Sequence, residues 1–216
     1  MTFNFSEHKT LVNRFVAELR NVELQKDRMR FRRNLERIGE VVAYEISKTL
    51  EYTVTDVETP LGIASVHLPT SRVVIASILR AGLPFHNGLL NYFDQADNAF
   101  ISAYRMHHKD GSFEIKLEYV SCPDLTNCTL ILADPMLATG ASMDLAIKAL
   151  QEYGQPTSLH LVTAIASTHG FNYIKRLHPQ AHLWVGAVDD ELTARSYIVP
   201  GLGDAGDLSF GTKLQD

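Results

Sequence analysis

The spacing of hydrophobic and polar residues divides the chain into a helical beginning and a longer region of alternating strands and helices. Apolar side chains recur at helical period over residues 7–22, with Leu11, Phe15 and Leu19 on one face, and a second helix is predicted over residues 27–50. The later predicted strands cover residues 73–79, 99–104, 130–133, 159–166 and 183–188, and the later helices cover residues 144–153 and 170–177. This alternation predicts an α/β fold with a doubly wound, mostly parallel sheet flanked by helices, whose ligands bind beyond the carboxyl ends of the strands.

Residues 129–142 combine a buried strand, a carboxylate and a turn of small residues. The apolar run is typical of a strand covered on both faces, and it must end by Asp134 because Pro135 cannot donate to a sheet. The small residues that follow are Ala138, Thr139, Gly140, Ala141 and Ser142. A tight turn before a helix directs free backbone N–H groups and the helix dipole at one point, which favours an anion. An ordinary strand-to-helix connection is the alternative, but Asp134 favours a ligand site because a carboxylate can hold a sugar hydroxyl beside a phosphate.

Two further segments are candidates for ligand binding. The strand over residues 73–79 ends in Arg80-Ala81-Gly82, where a cation and open backbone can meet a diphosphate together, although such an arginine is common at strand ends. Near the C-terminus, Gly201, Gly203 and Gly206 spell a Gly-x-Gly-x-x-Gly pattern. A dinucleotide site is excluded because too few residues follow to complete a βαβ unit. A glycine-rich loop bounded by proline instead exposes its backbone to a flat, small ligand.

Residues 113–119 depart from the parallel pattern. Apolar and charged side chains alternate there after the turn-forming residues 109–112, which predicts one strand of a β-hairpin with a solvated face. A permanently packed hairpin and a mobile lid are both compatible with this pattern.

Composition sets limits on function. With 216 residues, 45% of them hydrophobic, the chain is expected to form one domain, residues 1–216, with a full core. A net charge of −5 makes broad nucleic-acid binding unexpected, and the basic cluster at residues 28–37 indicates either an acidic or anionic partner or a solvated helix face. The two cysteines, Cys122 and Cys128, are expected to be free thiols, and the lack of a signal-like or membrane-length apolar run predicts a cytoplasmic protein with no membrane contact.

The segment from Asp134 to Gly140, Asp-Pro-Met-Leu-Ala-Thr-Gly, resembles the loop with which uracil phosphoribosyltransferases bind 5-phosphoribosyl 1-pyrophosphate (PRPP). Residues 78–82, Tyr104-Arg105 and the C-terminal stretch 197–213 are similar to further family segments and occur in the family's order. The family usually continues its loop with Gly-Ser, whereas this chain has Ala141-Ser142, which the site should tolerate if the φ angle of Ala141 is negative.

The resemblance implies a phosphoribosyltransferase-like fold and transfer of the 5-phosphoribosyl group from PRPP to N1 of uracil, giving UMP and pyrophosphate in pyrimidine salvage. It implies an N-terminal helical segment over residues 1–50, a hairpin lid over residues 105–122 and a uracil-binding loop over residues 197–213. PRPP would be bound by Arg80, Ala81, Gly82, Arg105, Asp134, Pro135, Met136, Leu137, Ala138, Thr139, Gly140, Ala141, Ser142 and Asp204. Uracil would be bound by Ile198, Gly203, Asp204 and Ala205.

By the same resemblance, the catalytic residues are Asp134, Arg105 and Asp204, and Mg²⁺ enters with PRPP, held near Asp204 through water. The family also implies a homo-oligomer, either a dimer or a tetramer. A fixed backbone acceptor and donor would select uracil over cytosine, since the wrong base leaves buried groups unpaired. Two alternatives stay open: a purine-specific member of the wider family, and a regulator of the same fold that binds RNA through the basic cluster.

Overall fold

The computed structural model describes the backbone of residues 1–107 and 113–213, and the side chains of these residues outside 104–116. The strands are β1 (Thr2–Asn4), β2 (Tyr52–Thr59), β3 (Gly62–Pro69), β4 (Val73–Leu79), β5 (Asp97–His107), β6 (Phe113–Ser121), β7 (Thr129–Ala133), β8 (Met136–Leu137), β9 (Ser158–Ser167), β10 (His182–Asp189), β11 (Glu191–Leu192) and β12 (Ile198–Val199). The helices are α1 (Leu11–Arg20), α2 (Arg28–Ser47), α3 (Gly82–Leu90), α4 (Ala141–Leu150), α5 (Thr168–Leu177) and α6 (Ala205–Phe210).

An eight-stranded sheet forms the centre of the molecule. Its order is β1-β10-β9-β7-β4-β5-β6, with β8 paired to β9. Neighbouring strands are parallel except β5 and β6, which run antiparallel. The predicted α/β fold with a mostly parallel sheet is therefore confirmed.

Helices cover both faces of the sheet, which explains why its central strands are continuously apolar. On one face, α1, α2 and α3 pack against the sheet through a core that includes Leu19, Leu35 and Phe85. On the other face, α4 and α5 bury Ile147 and Ile174 in a second core.

The N-terminal region differs from its prediction in two respects. In α1 the buried face is formed by Val12, Val16 and Leu19. Leu19 is therefore buried as predicted and Phe15 packs half-buried against the same core, whereas the placement of Leu11, which is 67% exposed, was wrong. The segment over residues 1–50 is also not purely helical, because Thr2–Asn4 forms the parallel edge strand β1 beside β10. A three-residue strand is too short to show a period, and its pairing is decided by the sheet edge it covers.

Two β-hairpins extend the architecture. The strand predicted over residues 113–119 is observed as β6, which pairs antiparallel with β5, while the predicted turn at 109–112 lies outside the described residues. A second hairpin, formed by β2 and β3, was not predicted; it is a separate two-stranded sheet with nearly all of its residues exposed. Within the part of the chain that the structure describes, no helix has the length and hydropathy needed to cross a bilayer.

Candidate active site

The predicted site residues gather where the parallel strands end. β4, β7 and β10 run in the same direction, and they are followed or ended at one edge of the sheet by Arg80, Asp134 and Asp189. This is the edge at which doubly wound sheets bind ligands. Three strand ends therefore frame the candidate site.

The turn after β7 leads into a helix whose N-cap residue has no side chain to cap it. Gly140 precedes α4 with a φ of +86°, and no side chain caps this helix end, in contrast to α5 and α6, which Ser167 and Asp204 cap. The Thr139 hydroxyl accepts a hydrogen bond from the Ala141 N–H at 3.3 Å. An uncapped ten-residue helix behind a turn of small residues is suited to a phosphate group.

Ala141 is the first residue of α4 and has a helical backbone, so its methyl group replaces glycine without the strain of a positive φ. The positive φ belongs to Gly140, where an added Cβ atom would lie 2.7 Å from the Tyr173 ring. The substitution of Ala141 for the family's usual glycine therefore falls at a position whose geometry accepts it.

The turn is fastened to α5 behind it. The Ser167 hydroxyl donates to the Ala138 carbonyl oxygen at 2.5 Å and accepts from the Gly170 N–H at 2.9 Å. An added Cβ atom on Gly170 would lie 2.3 Å from the same carbonyl oxygen, so glycine is required for this close approach. Sequence reasoning missed the roles of Ser167 and Gly170, although a serine just before a helix is a recognisable N-cap residue.

Asp134 begins the same turn, and its orientation is partly fixed. Its Oδ1 accepts from the Met136 N–H at 3.3 Å, and its own N–H donates to the Val162 carbonyl oxygen at 3.1 Å. Asp134, Thr139 and Ser142 line one small pocket, together with Met136, Leu137, Ala138, Gly140 and Met143. The structure thus brings the carboxylate and the phosphate-type turn together, as the sequence predicted.

Arg80, Ala81 and Gly82 pass directly beside the end of β7. An added Cβ atom on Gly82 would lie 2.6 Å from the Ser77 hydroxyl and 3.0 Å from the Ala133 carbonyl oxygen, so this turn packs closely against the residue that precedes Asp134. The peptide bond between Leu79 and Arg80 is cis. The predicted diphosphate segment and the predicted phosphate turn are therefore neighbours.

The Arg80 side chain extends from this turn to the C-terminal segment. Its Nη2 pairs with Asp207 Oδ1 at 2.8 Å, and its Nη1 donates to the Gly211 carbonyl oxygen at 3.0 Å. An added Cβ atom on Gly206 would lie 3.1 Å from Asp204 Oδ1 and 3.2 Å from Arg80 Nη2, which places Asp204 and Arg80 around one point. Asp207 was missed from the sequence because its partner lies 127 residues away.

The C-terminal segment contains more regular structure than a loop. β12 pairs with β11, the Val199–Pro200 bond is cis, and α6 begins after Asp204, whose Oδ1 accepts from the Asp207 N–H at 3.0 Å. Gly203 has a φ of +97° and is exposed, whereas Ile198 and Ala205 are buried. The six-residue helix was not predicted, but it is too short to complete a βαβ unit, so the rejection of a dinucleotide site stands.

Part of the positive charge of the basic cluster in α2 is paired with carboxylates of the same chain. Arg30 makes a two-pronged contact with Glu18 of α1, and Arg33 pairs with Glu36 and Glu40. The Arg30 hydrogen bond, followed by that of Asn34, holds the pKa of Glu18 down at about 2. Arg32 donates to the Ser209 carbonyl oxygen of α6 at 2.6 Å. Two of the five arginines in this cluster therefore have acidic partners within the chain, which weakens the observation that supported an RNA-binding alternative.

Two predicted features lie partly outside the description. The backbone of Arg105 belongs to β5, where it is opposite Ile115, but its side chain is not among those described. Within the described residues, no group of three His, Cys, Asp or Glu side chains is placed to hold a metal ion. A cation here would draw on the oxygens of Asp134 or Asp204 and of a substrate, which fits the oxygen ligands and substrate phosphates that hold Mg²⁺.

A larger cavity of about 310 Å³ lies at the opposite edge of the sheet, between the beginnings of β7 and β9 and the ends of α4 and α5. None of the predicted site residues lines it. The pocket at the turn before α4 is smaller, about 30 Å³, but it is the place where the carboxylate, the N-terminus of α4 and the segment of Arg80 meet.

A parallel sheet whose central strand leads through an acidic residue and a Thr-Gly turn into an uncapped helix defines the phosphoribosyltransferase class of proteins. Within that class, the chain belongs to the uracil phosphoribosyltransferase family, whose model matches residues 6–212.

Individual relatives agree with this assignment. The chain is 54% identical to a uracil phosphoribosyltransferase of Porphyromonas gingivalis over 210 residues, 97% of each chain. It is 37% identical to that of Thermococcus gammatolerans over 212 residues, which cover 97% of this chain and 93% of the other. Among solved structures, the AQ2163 protein from Aquifex aeolicus superposes with a TM-score of 0.88 at 28% identity over the full length of both chains.

Proposed function

We propose that the protein transfers the 5-phosphoribosyl group of PRPP to N1 of uracil, forming UMP and pyrophosphate in pyrimidine salvage. The observation that carries this proposal is the Asp134-to-Ser142 turn, in which a carboxylate stands beside the uncapped N-terminus of α4. Membership of the uracil phosphoribosyltransferase family supplies the base.

The 5-phosphate is assigned to the turn Thr139-Gly140-Ala141-Ser142. Backbone N–H groups at the start of α4 and the two hydroxyls would donate to its oxygens, and the positive end of the helix dipole would favour its charge. Ser167 and Gly170 hold this turn from behind through Ala138, so the sugar is fixed at one end while its other end reacts.

Asp134 is assigned to the ribose. Its carboxylate would accept hydrogen bonds from the ribose hydroxyls and stabilise the positive charge that develops on the ring as the C1–O bond breaks. Pro135, Met136, Leu137 and Ala138 continue the PRPP-binding segment between this carboxylate and the phosphate turn.

Pyrophosphate is assigned to Arg80, the backbone of Ala81 and Gly82, and Arg105. Arg80 is paired with Asp207 and the Gly211 carbonyl oxygen, so binding the diphosphate would exchange the Asp207 carboxylate for another anionic partner. Mg²⁺ bound with PRPP, near Asp204 through water, would neutralise part of the leaving-group charge.

Uracil is assigned to the segment formed by Ile198, Gly203, Asp204 and Ala205. Gly203 is exposed, so its backbone groups are available to read the edge of a flat base, and the buried side chains of Ile198 and Ala205 hold the segment in place. N1 of the base attacks C1 of the ribose as the C1–O bond to pyrophosphate breaks and the N1 proton is released. No side-chain nucleophile is required, and closure of the β5–β6 hairpin, residues 105–122, would keep water from PRPP.

We also propose that the functional unit is a homo-oligomer, a dimer or a tetramer. The hairpin of β2 and β3 exposes Val54 (62%), Leu61 (100%) and Ile63 (74%). A lone two-stranded hairpin is marginally stable in water, so a second copy of the chain that covers these side chains accounts for its persistence.

The first test is incubation of the folded protein with labelled uracil, PRPP and Mg²⁺. UMP should form, and adding excess unlabelled hypoxanthine or guanine should not reduce it. If folded protein makes no UMP, the proposal is wrong; if a purine competes, the base assignment is wrong.

The second test is Asp134→Asn, which keeps the shape of the side chain and removes its charge. We expect kcat to fall roughly 100- to 1,000-fold, while the free energy of unfolding changes by less than about 1 kcal/mol. Asp97→Asn is the matched control, since Asp97 pairs with Arg72 at the far end of β5 and should leave kcat unchanged. A normal kcat for Asp134→Asn would refute the role assigned to this carboxylate.

A further inference from the structure

We infer that the ion pair between Arg20 and Asp189 positions the uracil-binding segment and thereby sets the affinity for uracil. The inference rests on the proposed function, and it assigns both residues a positioning role. It concerns two side chains that carry no motif and that lie 169 positions apart.

The two side chains form a bidentate ion pair that also hydrogen-bonds to the backbone of Gly201. Arg20 Nη2 lies 2.6 Å from Asp189 Oδ1, and Arg20 Nη1 lies 2.8 Å from Asp189 Oδ2. The same Nη1 donates to the Gly201 carbonyl oxygen at 3.1 Å, and the Gly201 N–H donates to Asp189 Oδ2 at 2.9 Å. Both polar groups of Gly201 are therefore held by this one ion pair.

Gly201 stands between the residues assigned to the base. Ile198 lies three positions before it, and Gly203 and Ala205 lie two and four positions after it. Its φ is +57°, and an added Cβ atom would lie 2.1 Å from the Ile198 carbonyl oxygen, so the chain turns tightly at this point. A shift at Gly201 would change the spacing of backbone groups on both sides of the base.

Burial makes the grip effective. The side chain of Asp189 is 6% exposed and that of Arg20 is 23% exposed, so solvent competes weakly for these hydrogen bonds. Asp189 is also the last residue of β10, and its carbonyl oxygen accepts from the Thr168 hydroxyl of α5 at 3.2 Å. The uracil-binding segment is thus attached to the central sheet through Asp189 and to the end of α1 through Arg20.

The pair is not needed to attach α1 to the sheet. Val16 is buried at this interface, and an added Cβ atom on Gly186 of β10 would lie 3.1 Å from its Cγ2 atom. Apolar packing therefore holds α1 on β10, and what distinguishes the ion pair is its contact with Gly201.

The test measures the kinetics of Arg20→Gln, Asp189→Asn and the double variant. We expect each single variant to raise the KM for uracil roughly tenfold or more, because one hydrogen bond to a charged group is lost, while kcat and the KM for PRPP stay within about threefold. The double variant should be no worse than the worse single variant, since the two residues act as one unit.

Arg30→Gln is the matched control. Arg30 also forms a bidentate ion pair, through its Nε and Nη2 with Glu18, and joins α1 to α2, but it does not contact the uracil-binding segment. It should lower thermal stability without raising the KM for uracil. If Arg30→Gln raises that KM as much as Arg20→Gln, or if the Arg20 and Asp189 variants fold and bind uracil normally, the inference is overturned.

Arg20→Lys serves if the stronger variants do not fold, because lysine keeps the charge but cannot contact Asp189 and Gly201 with a planar fork. An intermediate rise in the KM for uracil supports the inference, and no rise overturns it. Hydrogen exchange of the amides in residues 198–205 gives a readout that needs no activity. Faster exchange in Asp189→Asn than in Arg30→Gln would uphold the positioning role even if the wild-type protein made no UMP; equal exchange would refute it.

Discussion

The buried histidine of β9 provides a quantitative prediction about acid stability. His160 is 2% exposed, and its Nδ1 accepts a hydrogen bond at 3.0 Å from the indole N–H of Trp184, so its proton resides on Nε2. His182 of β10 stacks on the imidazole with ring centres 4.7 Å apart. Protonation of Nδ1 would replace this acceptor with a donor facing a donor, inside the sheet.

Burial, followed by the positive charges of His182 and the amino terminus, lowers the pKa of His160 to about 3. In the unfolded chain its pKa is about 6.5. The unfolded state therefore binds a proton that the folded state does not bind. The contribution of the neutral His160 to stability is present above pH 6.5 and is lost as the pH falls towards 3. The slope approaches about 1.4 kcal/mol per pH unit below the unfolded pKa, which gives a loss of about 2 kcal/mol between pH 7 and pH 5 and about 4 kcal/mol by pH 3.

Urea unfolding of the wild type and His160→Asn at several pH values between 5 and 7 tests this calculation. Asparagine can still accept from Trp184 but does not titrate, so the variant should be less stable at pH 7 and should close the gap by about 2 kcal/mol at pH 5. Loss of an exposed histidine, His67→Asn, controls for the substitution type. Stability curves of wild type and His160→Asn that run parallel between pH 5 and 7 would refute the assignment of a neutral, proton-refusing imidazole.

Two further predictions concern the PRPP turn and the exposed hairpin. Gly140→Ala should raise the KM for PRPP roughly tenfold or more, because Gly140 has a φ of +86° and the new methyl group would meet Tyr173. Ala141→Gly should leave the KM for PRPP within about twofold. If steady-state kinetics show the larger effect for Ala141→Gly, the geometry assigned to this turn is wrong. In the β2–β3 hairpin, Leu61→Asp with Ile63→Asp should convert an oligomer into a smaller species in light scattering, and an unchanged mass would exclude this hairpin from the interface.

The sheet could be predicted because its central strands are unambiguous. The runs before Arg80 and Asp134 are apolar apart from Ser77 and Thr129, since helices cover both faces of the sheet. The order of the motifs then placed both residues at strand ends on one edge. The boundaries were less accurate, as in α4, which ends at Leu150 and continues as a short 3₁₀ turn to Tyr153.

The hairpin of β2 and β3 escaped prediction for a physical reason. Its strands alternate, but they pack on no core within the chain, so residues such as Val54 and Ile63 are exposed alongside polar neighbours. A pattern read from one sequence reports burial within that chain. A strand whose apolar side chains are covered by another molecule is hard to predict from the sequence of one chain. Once seen in the structure, those exposed side chains indicate where the chain assembles with a second copy.

The parts of the site that a sequence reveals are those that are contiguous. The turn from Asp134 to Ser142 and the segment around Gly203 each carry their chemistry within about a dozen residues, and the structure keeps each together. The residues that hold them are remote: Ser167 fastens the first, and the Arg20–Asp189 pair grips the second. No spacing along the chain announces such contacts, because they are set by which strand ends become neighbours.

Arg80 shows how this arrangement complicates the reading of a single substitution. Its motif assigns it to the leaving group. Its guanidinium, however, is bonded to Asp207, which lies within α6, and to the carbonyl oxygen of Gly211, which directly follows α6. Removing Arg80 would withdraw a charge from pyrophosphate and also release the segment that carries Asp204 and Ala205. Its effect on turnover is therefore the sum of two couplings that only a cycle with an Asp207 variant can separate. The same contacts join the segments proposed to bind PRPP and uracil, which the sequence presents as independent motifs, so substitutions in the two segments must be interpreted together.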